Sequence, residues 1–183
     1  RALIAAAMGT VRSVHATQGN WNNHIGLPLT VLASTGDEDA WIVEMGTSSP
    51  GEIARLAEIA VPDVRLIVNI GHAHLEELGG LEGVAFEKGS LFRSARPGDR
   101  LCVNLDDEYV RSMAVPPGVE VVTWGRTVGA EYRLCSVDLA LDAFTMRARY
   151  ATPFGEVEAQ FPVAGAHVAL DGAAALAIAC GAG

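Results

Sequence analysis

The stretch VRLIVNIGHAHLEELGGLEGVAFEKGSLFRSA, residues 64–95, combines the two kinds of segment from which the fold class can be predicted. It opens with a short apolar run (64–71), which is typical of a strand that is buried on both faces. A polar loop with two glycines follows, and then a segment with apolar residues at helical spacing (80–95). A buried strand followed by a helix is the repeating unit of a parallel sheet covered by helices. The stretch therefore predicts an α/β fold.

The rest of the chain repeats this alternation of apolar strands and amphipathic helices. Further strands are predicted at 14–16, in AWIVEMG (40–46), in DRLCVNLDDE (99–108) and in VEVVTWG (119–125). Helices are predicted at 2–9, in LPLTVLAST from near Pro28, in SPGEIARLAEIA (49–60) with Pro50 in its first turn, and in AHVALDGAAALAIA (166–179).

The pattern changes between about residues 130 and 163. Here YRLCSVDLAL, AFTMRARYATP and GEVEAQFPV alternate polar and apolar residues, with no helical segment between them. That alternation predicts a small antiparallel sheet. We therefore expect a mostly parallel sheet flanked by helices, with a small antiparallel β subdomain near 130–163.

Length, charge and cysteine content narrow the class of protein. A chain of 183 residues suits one domain. The formal net charge of −9 argues against a broad nucleic-acid footprint or binding to an anionic membrane, so any phosphate must be bound locally. The three cysteines show no CxxC spacing, and we expect reduced thiols in a cytoplasmic protein. Neither a signal peptide nor an apolar run of the roughly 20 residues that span a bilayer is visible.

Polar residues gather at the predicted carboxyl ends of the strands, at Glu44, 69–74 and 104–107. In open α/β sheets this edge binds ligands. Glu44 ends an apolar strand, where a carboxylate needs a metal, a bound donor or an arginine as its partner. His72 and His74 form an HxH pattern, which can ligate one metal, although a single loop histidine is more often a surface residue.

Lys88 is the only lysine in the chain, which carries twelve arginines. A lysine can lose its proton and form a new N–C bond, whereas an arginine effectively cannot. If its amine is neutral, Lys88 can add CO2 and become a carbamate, which is a carboxylate-like metal ligand. The alternative is an ordinary solvated residue on a helix.

The densest polar segment is TQGNWNNHIG, residues 17–26. Its three asparagines are either turn formers or hydrogen-bonding partners of a sugar or phosphate, which the glycines would allow to approach closely. The chain contains no GxxxxGK[ST] phosphate loop.

Five strings resemble the central domain of Mur ligases in their order and spacing. They are TQGNWNNHIGLPLTVL (17–32), VEMGTSSPGEIARL (43–56), NIGHAHLEELGGLEGVAFEKGSLF (69–92), VNLDDE (103–108) and GAHVALDGAAALA (165–177). Within the family, the NxNN and AHLEE strings are most similar to the members that add D-Ala-D-Ala.

The resemblance implies a Rossmann-like (P-loop NTPase-like) fold and an ATP- and Mg²⁺-dependent amide ligase of peptidoglycan precursor synthesis. In this family ATP phosphorylates the carboxylate of a UDP-MurNAc-peptide, and the amine of D-Ala-D-Ala then attacks the acyl phosphate. Such a protein would be a cytoplasmic monomer without nucleic-acid or membrane partners.

The resemblance also implies roles for particular residues. Glu44, His74 and Lys88 match the catalytic magnesium site of the family, with Lys88 as its carbamylated lysine. The segment that contacts the UDP-muramoyl substrate contains Thr17, Asn20, Asn22 and Asn23. The segment that approaches the adenine contains His167 and Asp171. Here the family usually has HNxxN, and Val168 and Asp171 stand in place of the two asparagines.

The same resemblance predicts that residues 1–183 are one ATP-binding domain of a longer enzyme. The family's GxxGKT phosphate loop is expected immediately before Arg1, and the N-terminal UDP-binding domain and the C-terminal domain are expected outside this chain. Without that loop, we expect the fragment to bind ATP poorly and to be inactive alone.

Several alternatives stay open at this point. Within the family they are a neighbouring ligase that adds the third residue of the peptide, or a folylpolyglutamate synthetase. Outside it they are a non-catalytic nucleotide-sugar-binding module, or a metal hydrolase that combines HxH with a carbamylated lysine. The hydrolase would need a (β/α)8 barrel, which typically takes about 250 residues.

Overall fold

The computed structural model describes residues 1–140, 144–163 and 165–181. Its strands are β1 (Val14–Ala16), β2 (Ala40–Ile42), β3 (Val64–Ile67), β4 (Arg100–Asn104), β5 (Glu120–Gly125), β6 (Tyr132–Ala140), β7 (Thr145–Thr152) and β8 (Gly155–Phe161). Its helices are α1 (Ala2–Met8), α2 (Gly26–Leu32), α3 (Glu52–Ala60), α4 (Leu75–Leu78), α5 (Leu81–Arg93), α6 (Glu108–Arg111) and α7 (Ala166–Gly181).

The described residues form a six-stranded sheet in the order β3-β4-β5-β6-β7-β8. β3, β4 and β5 are parallel, and β6 joins β5 in parallel over two residue pairs. β7 and β8 then add antiparallel neighbours. The predicted antiparallel strands are therefore present, and they continue the main sheet. Leu141 and Ala143, at the ends of two of these predicted strands, lie outside the described residues.

Helices cover both faces of this sheet because β4 is apolar on both faces. Leu101 and Val103 pack in one core with Phe92 of α5. Cys102, between them, points to the other core, which contains Ala173 of α7. Side chains of a strand alternate between faces, so a strand covered on both sides is a continuous apolar run. This confirms the buried strand that was predicted from 99–108.

Within the described residues, β1 and β2 form a separate two-stranded parallel sheet. An apolar cluster that includes Met8, Ile42 and Leu66 packs it against the main sheet. The prediction of one buried strand over 40–46 is wrong in length and in burial, since β2 ends at Ile42 and Trp41 is 43% exposed. Among the described residues β2 pairs with β1 alone, and its other edge faces a cleft.

Polar caps decide where two of the helices begin. α2 begins at Gly26, ahead of Pro28, because the side-chain oxygen of Asn23 accepts hydrogen bonds from the Ile25 and Gly26 N–H groups at 3.0 and 2.9 Å. The other helix, α3, was predicted to hold Pro50 in its first turn, and this is wrong because α3 begins at Glu52.

The start of α3 depends on a residue from a distant part of the chain. Gly51 precedes the helix at φ 87°, a backbone conformation that favours glycine. The carboxylate of Glu87 on α5 accepts hydrogen bonds from the Gly51 and Ile53 N–H groups at 2.7 and 2.8 Å. These bonds satisfy N–H groups that have no partner within the helix.

The three cysteines differ in their exposure to solvent. All three cysteines are free, and Cys102 is buried whereas Cys135 and Cys180 are exposed. Burial raises the pKa of the Cys102 thiol to about 12, so it is unreactive at neutral pH. In the part of the chain that the structure describes, every helix is too short or too polar to cross a membrane.

A pair of leucine substitutions tests the core assignment. Leu101→Ala removes a side chain that is 0% exposed in β4, and Leu32→Ala removes one that is 79% exposed at the end of α2. The first should lower the free energy of unfolding by about 2–5 kcal/mol, because a buried cavity remains, and the second by less than about 0.5 kcal/mol. Urea denaturation measures both. Equal losses would contradict the two-sided burial of β4.

Candidate functional site

A cleft separates β2 from β3, which do not pair with each other in the described structure. Its volume is about 880 Å³, and its lining includes Arg1, Glu44, Asn69 and Lys88. Glu44 follows β2, and Lys88 lies on α5. These two residues, which the sequence singled out, line the same cavity.

Glu44 lies just beyond the end of β2, on the segment that leads towards α3. One carboxylate oxygen accepts a hydrogen bond from the Asn22 side-chain amide at 2.8 Å. The other lies 3.4 Å from the Arg1 guanidinium, which also donates to the Gly19 carbonyl at 2.7 Å. The Glu44 side chain remains 41% exposed. The carboxylate is therefore held in place and still open to a ligand.

Lys88 projects from α5 towards the loop that follows β3. Its ammonium donates a hydrogen bond to the Asn69 carbonyl at 3.0 Å. Burial lowers the pKa of Lys88, and the nearby Asp107 carboxylate opposes this shift. A lowered pKa increases the fraction of neutral amine, which is the form that reacts with CO2.

The loop after β3 is fastened to the loop after β4. The Ile70 N–H donates to the Asp107 carboxylate at 2.8 Å, and the same carboxylate caps α6 by accepting from the Val110 N–H at 2.9 Å. The Asn104 side-chain amide donates to the Val68 carbonyl at 2.8 Å. These bonds fix the Asn69 carbonyl that Lys88 contacts.

His74 does not join Glu44 and Lys88 in the cleft lining. It is exposed, as is His72, and it precedes α4 with φ 59° and ψ 34°. This left-handed conformation is unfavourable for a residue with a Cβ atom, and such strain is concentrated at functional sites. Among the residues that the structure describes, no group of three or more histidine, cysteine or acidic side chains is arranged to hold a metal ion.

The predicted substrate residues divide into one free side chain and three with internal partners. Thr17 is buried, and its hydroxyl accepts a hydrogen bond from the Glu44 N–H at 3.0 Å. Asn22 contacts Glu44, and Asn23 caps α2. Asn20 is exposed, and its side chain has no hydrogen bond within the described residues. Among the described residues, Asn20 is therefore the one of the four whose exposed side chain has no internal hydrogen bond.

The predicted adenine residues lie at the beginning of α7, which packs against α1. His167 is exposed, and Asp171 is partly buried. Burial raises the pKa of Asp171.

Sequence reasoning missed Glu87, the most buried acidic side chain in the described ranges, at 4% exposure. The sequence signal for the burial of Glu87 was its position on the predicted helix, one turn after the apolar Val84, so that both residues lie on the same face. Its partners, the N–H groups at the start of α3, could not be foreseen.

Comparison with known proteins identifies the family. Residues 1–179 match the model of the Mur ligase middle domain. The chain belongs to the Mur ligase family. The resemblance seen in the sequence is confirmed, and so is the mostly parallel α/β fold. The metal-hydrolase alternative, which needed a (β/α)8 barrel, is wrong for this open sheet.

Two curated relatives cover nearly the whole of this Mur ligase domain. The UDP-N-acetylmuramoyl-tripeptide--D-alanyl-D-alanine ligase of Bacillus subtilis is 35% identical over 177 residues, which are 96% of this chain and 37% of the relative. The ligase of the same name from Mycobacterium bovis is 35% identical over 185 residues, covering 98% of this chain and 36% of the relative. The chain thus spans less than two fifths of the length of either.

Solved structures of similar proteins agree. MurF from Acinetobacter baumannii superposes with a TM-score of 0.88 at 26% identity, covering 97% of this chain and 39% of that one. MurF from Thermotoga maritima, solved in complex with ADP, gives 0.85 at 27% identity, covering 96% of this chain and 40% of that one.

The positive φ of His74 in this Mur ligase domain predicts that glycine is more stable than histidine at this position. His74→Gly should raise the free energy of unfolding by about 1 kcal/mol, because glycine adopts a positive φ without the Cβ penalty. His72→Gly is the matched control. Its φ is not positive, so it should lose up to about 1 kcal/mol of stability. Thermal or urea denaturation measures both, and a loss of stability in His74→Gly would show that the histidine side chain is a structural contact.

Proposed function

We propose that this chain is the central domain of an ATP-dependent amide ligase that joins D-Ala-D-Ala to a UDP-MurNAc-tripeptide. The observation that carries the proposal is the 35% identity, over 96% of the chain, to a Bacillus subtilis ligase with that name. The cleft between β2 and β3 supports it with an acid and a lysine in one cavity. The alternatives within the family are a folylpolyglutamate synthetase and a ligase for a single amino acid. Ligation of D-Ala-D-Ala to the UDP-MurNAc-tripeptide would exclude both.

The proposed reaction needs charge neutralisation and positioning more than any other help. A carboxylate becomes an acyl donor when one of its oxygens attacks the γ-phosphorus of ATP, releasing ADP and forming an acyl phosphate. The D-Ala-D-Ala amine then attacks the acyl carbon, phosphate leaves with the C–O electron pair, and the amine loses a proton. The first step brings a carboxylate against the anionic phosphates of ATP, and the second develops an oxyanion beside the phosphate that leaves. A bound Mg²⁺ would supply neutralising charge in both.

The donor set fits Mg²⁺ in part. Magnesium takes oxygen ligands and is usually held by one or two carboxylates together with phosphates and waters. Glu44 supplies one exposed carboxylate, and Lys88 would supply a second if its neutral amine adds CO2 and releases a proton to form a carbamate. His74 is the third proposed ligand, and reaching the cleft requires it to turn inward.

Nucleotide and substrate contacts follow the family assignment. The Thermotoga maritima relative was solved with ADP, which supports ATP as the co-substrate here. We assign the adenine side to His167 and Asp171, and the UDP-muramoyl side to the segment 17–23, where Asn20 is free to bind. The predicted monomeric state and cytoplasmic location remain part of this proposal.

The cleft also supports the proposed upstream phosphate loop. A parallel strand between β2 and β3 would fill the middle of the cleft and join the two sheets of the described chain into one, because neighbouring strands lie about 4.8 Å apart and both edges are unpaired. Glu44 and Asn69 lie beyond the ends of β2 and β3, so the polar end of the cleft would stay open to ligands. A strand at this place would lead into α1, which begins after Arg1 beside Glu44. The GxxGKT loop therefore fits immediately before Arg1, with the UDP-binding and C-terminal domains outside this chain.

Lysine substitutions in the full-length protein test the proposal. Lys88→Ala and Lys88→Arg should each lower ligation of D-Ala-D-Ala by about 10²-fold or more, because neither side chain can form a carbamate. Arg111→Ala, on the exposed face of α6, is the control and should keep normal turnover. Phosphate release with D-Ala-D-Ala, compared with single amino acids, measures both activity and substrate choice.

Three results would count against this assignment. Near-normal turnover in Lys88→Arg would remove the carbamate role, and added bicarbonate should raise wild-type activity only if that role is correct. Activity with single amino acids alone would replace the proposed substrate, and no turnover with any of these amines would favour the non-catalytic module.

A further inference from the structure

The loop after β1 runs alongside the segment after β2 and continues their parallel pairing. The Thr17 N–H donates to the Ile42 carbonyl at 3.0 Å, and the Glu44 N–H donates to the Thr17 hydroxyl at 3.0 Å. Further along, the Gly46 N–H donates to the Asn22 carbonyl at 2.8 Å. Three bonds therefore fix the backbone on both sides of Glu44.

Asn22 adds a fourth bond, from its side-chain amide to the Glu44 carboxylate at 2.8 Å. An ionised carboxylate only accepts hydrogen bonds, so the NH2 group of Asn22 must face it. A hydrogen bond to a charged acceptor is stronger than a neutral one. Asn22 thus contacts the Glu44 segment through its backbone carbonyl and through its side chain.

Gly46 is shaped to receive Asn22. A Cβ atom added at Gly46 would lie 2.9 Å from the Cγ and Oδ1 atoms of the Asn22 side chain, which is closer than real Cβ contacts. The glycine therefore lets the asparagine side chain lie against the backbone next to Glu44. This close fit is unexpected for a side chain that reaches out to a substrate.

The chemistry of the two Glu44 partners differs in a way that matters for a cation. Arg1 carries a positive charge and would compete with a metal for its carboxylate oxygen. Asn22 is neutral, so it orients the carboxylate without cancelling its charge. A neutral donor therefore leaves the negative charge of the carboxylate available to a cation in the cleft.

We propose that Asn22 is a positioning residue that orients the Glu44 carboxylate for a divalent cation, and that it does not bind the UDP-muramoyl substrate. The inference rests on the proposed function, in which Glu44 binds magnesium. Asn20, two positions earlier in the same loop, has an exposed side chain without a hydrogen bond in the described structure and keeps the substrate role.

The test compares the two asparagines in the full-length protein. Asn22→Ala removes the donor, Asn22→Leu keeps a side chain of similar size without a donor, and Asn20→Ala is the matched control. The affinity for Mn²⁺ is measured by electron paramagnetic resonance with a non-hydrolysable ATP analogue bound. The KM for the UDP-MurNAc-tripeptide and the thermal midpoint are measured alongside.

Both Asn22 variants should weaken Mn²⁺ binding by about 10–100-fold, the usual effect of losing a group that orients a metal ligand, and should leave the KM for the tripeptide unchanged. Asn20→Ala should raise the KM for the tripeptide and leave the Mn²⁺ affinity unchanged. A raised KM with unchanged Mn²⁺ affinity in Asn22→Leu, at a normal thermal midpoint, would overturn the inference. Glu44→Gln separates the two proposals. Weakened Mn²⁺ binding in Glu44→Gln with normal binding in the Asn22 variants would refute the inference alone, whereas unchanged Mn²⁺ affinity in Glu44→Gln would refute the metal role of Glu44 and the inference with it.

Discussion

A buried carboxylate joins two parts of this domain that share no strand pairing in the described structure. Glu87 of α5, 4% exposed, accepts hydrogen bonds from the Gly51 and Ile53 N–H groups at the start of α3. An unpartnered carboxylate at this depth would cost several kcal/mol, and the N-terminus of a helix supplies both donors and a positive dipole end. The bonds fix α3, and with it the segment that carries Glu44, against the helix that carries Lys88. The distance across the cleft therefore depends on Glu87.

The candidate site follows from this arrangement and from the ends of the strands. β2 delivers Glu44 to one wall of the cleft, and α5 delivers Lys88 to the other. Each is held by a polar contact that leaves the reactive group accessible: the Asn22 amide on Glu44, and the Asn69 carbonyl on Lys88. Asn69, which follows β3, lines the same cavity, so residues of three separate segments meet there. The strain at His74 belongs to the same edge.

Local pattern predicted some of this and could not predict the rest. β4 and α5 were readable because an apolar run and a helical period are properties of neighbouring residues. The early end of β2 could not be predicted, since the exposure of β2 results from the cleft between β2 and β3. The start of α3 could not be predicted either, because its cap, Glu87, lies 34 residues beyond Ile53. The roles of Glu44, His74 and Lys88 came from family resemblance, and the structure brings only Glu44 and Lys88 into one lining.

We propose that Glu44 and Lys88 hold magnesium together across this cleft. A crystal structure of the full-length protein with Mg²⁺ and a non-hydrolysable ATP analogue is the decisive measurement. We expect Mg²⁺ about 2.1 Å from a Glu44 carboxylate oxygen, and a carbamate on the Lys88 Nζ atom pointing at the same ion. Unmodified Lys88 still bonded to the Asn69 carbonyl, with Mg²⁺ bound away from Glu44, would contradict it.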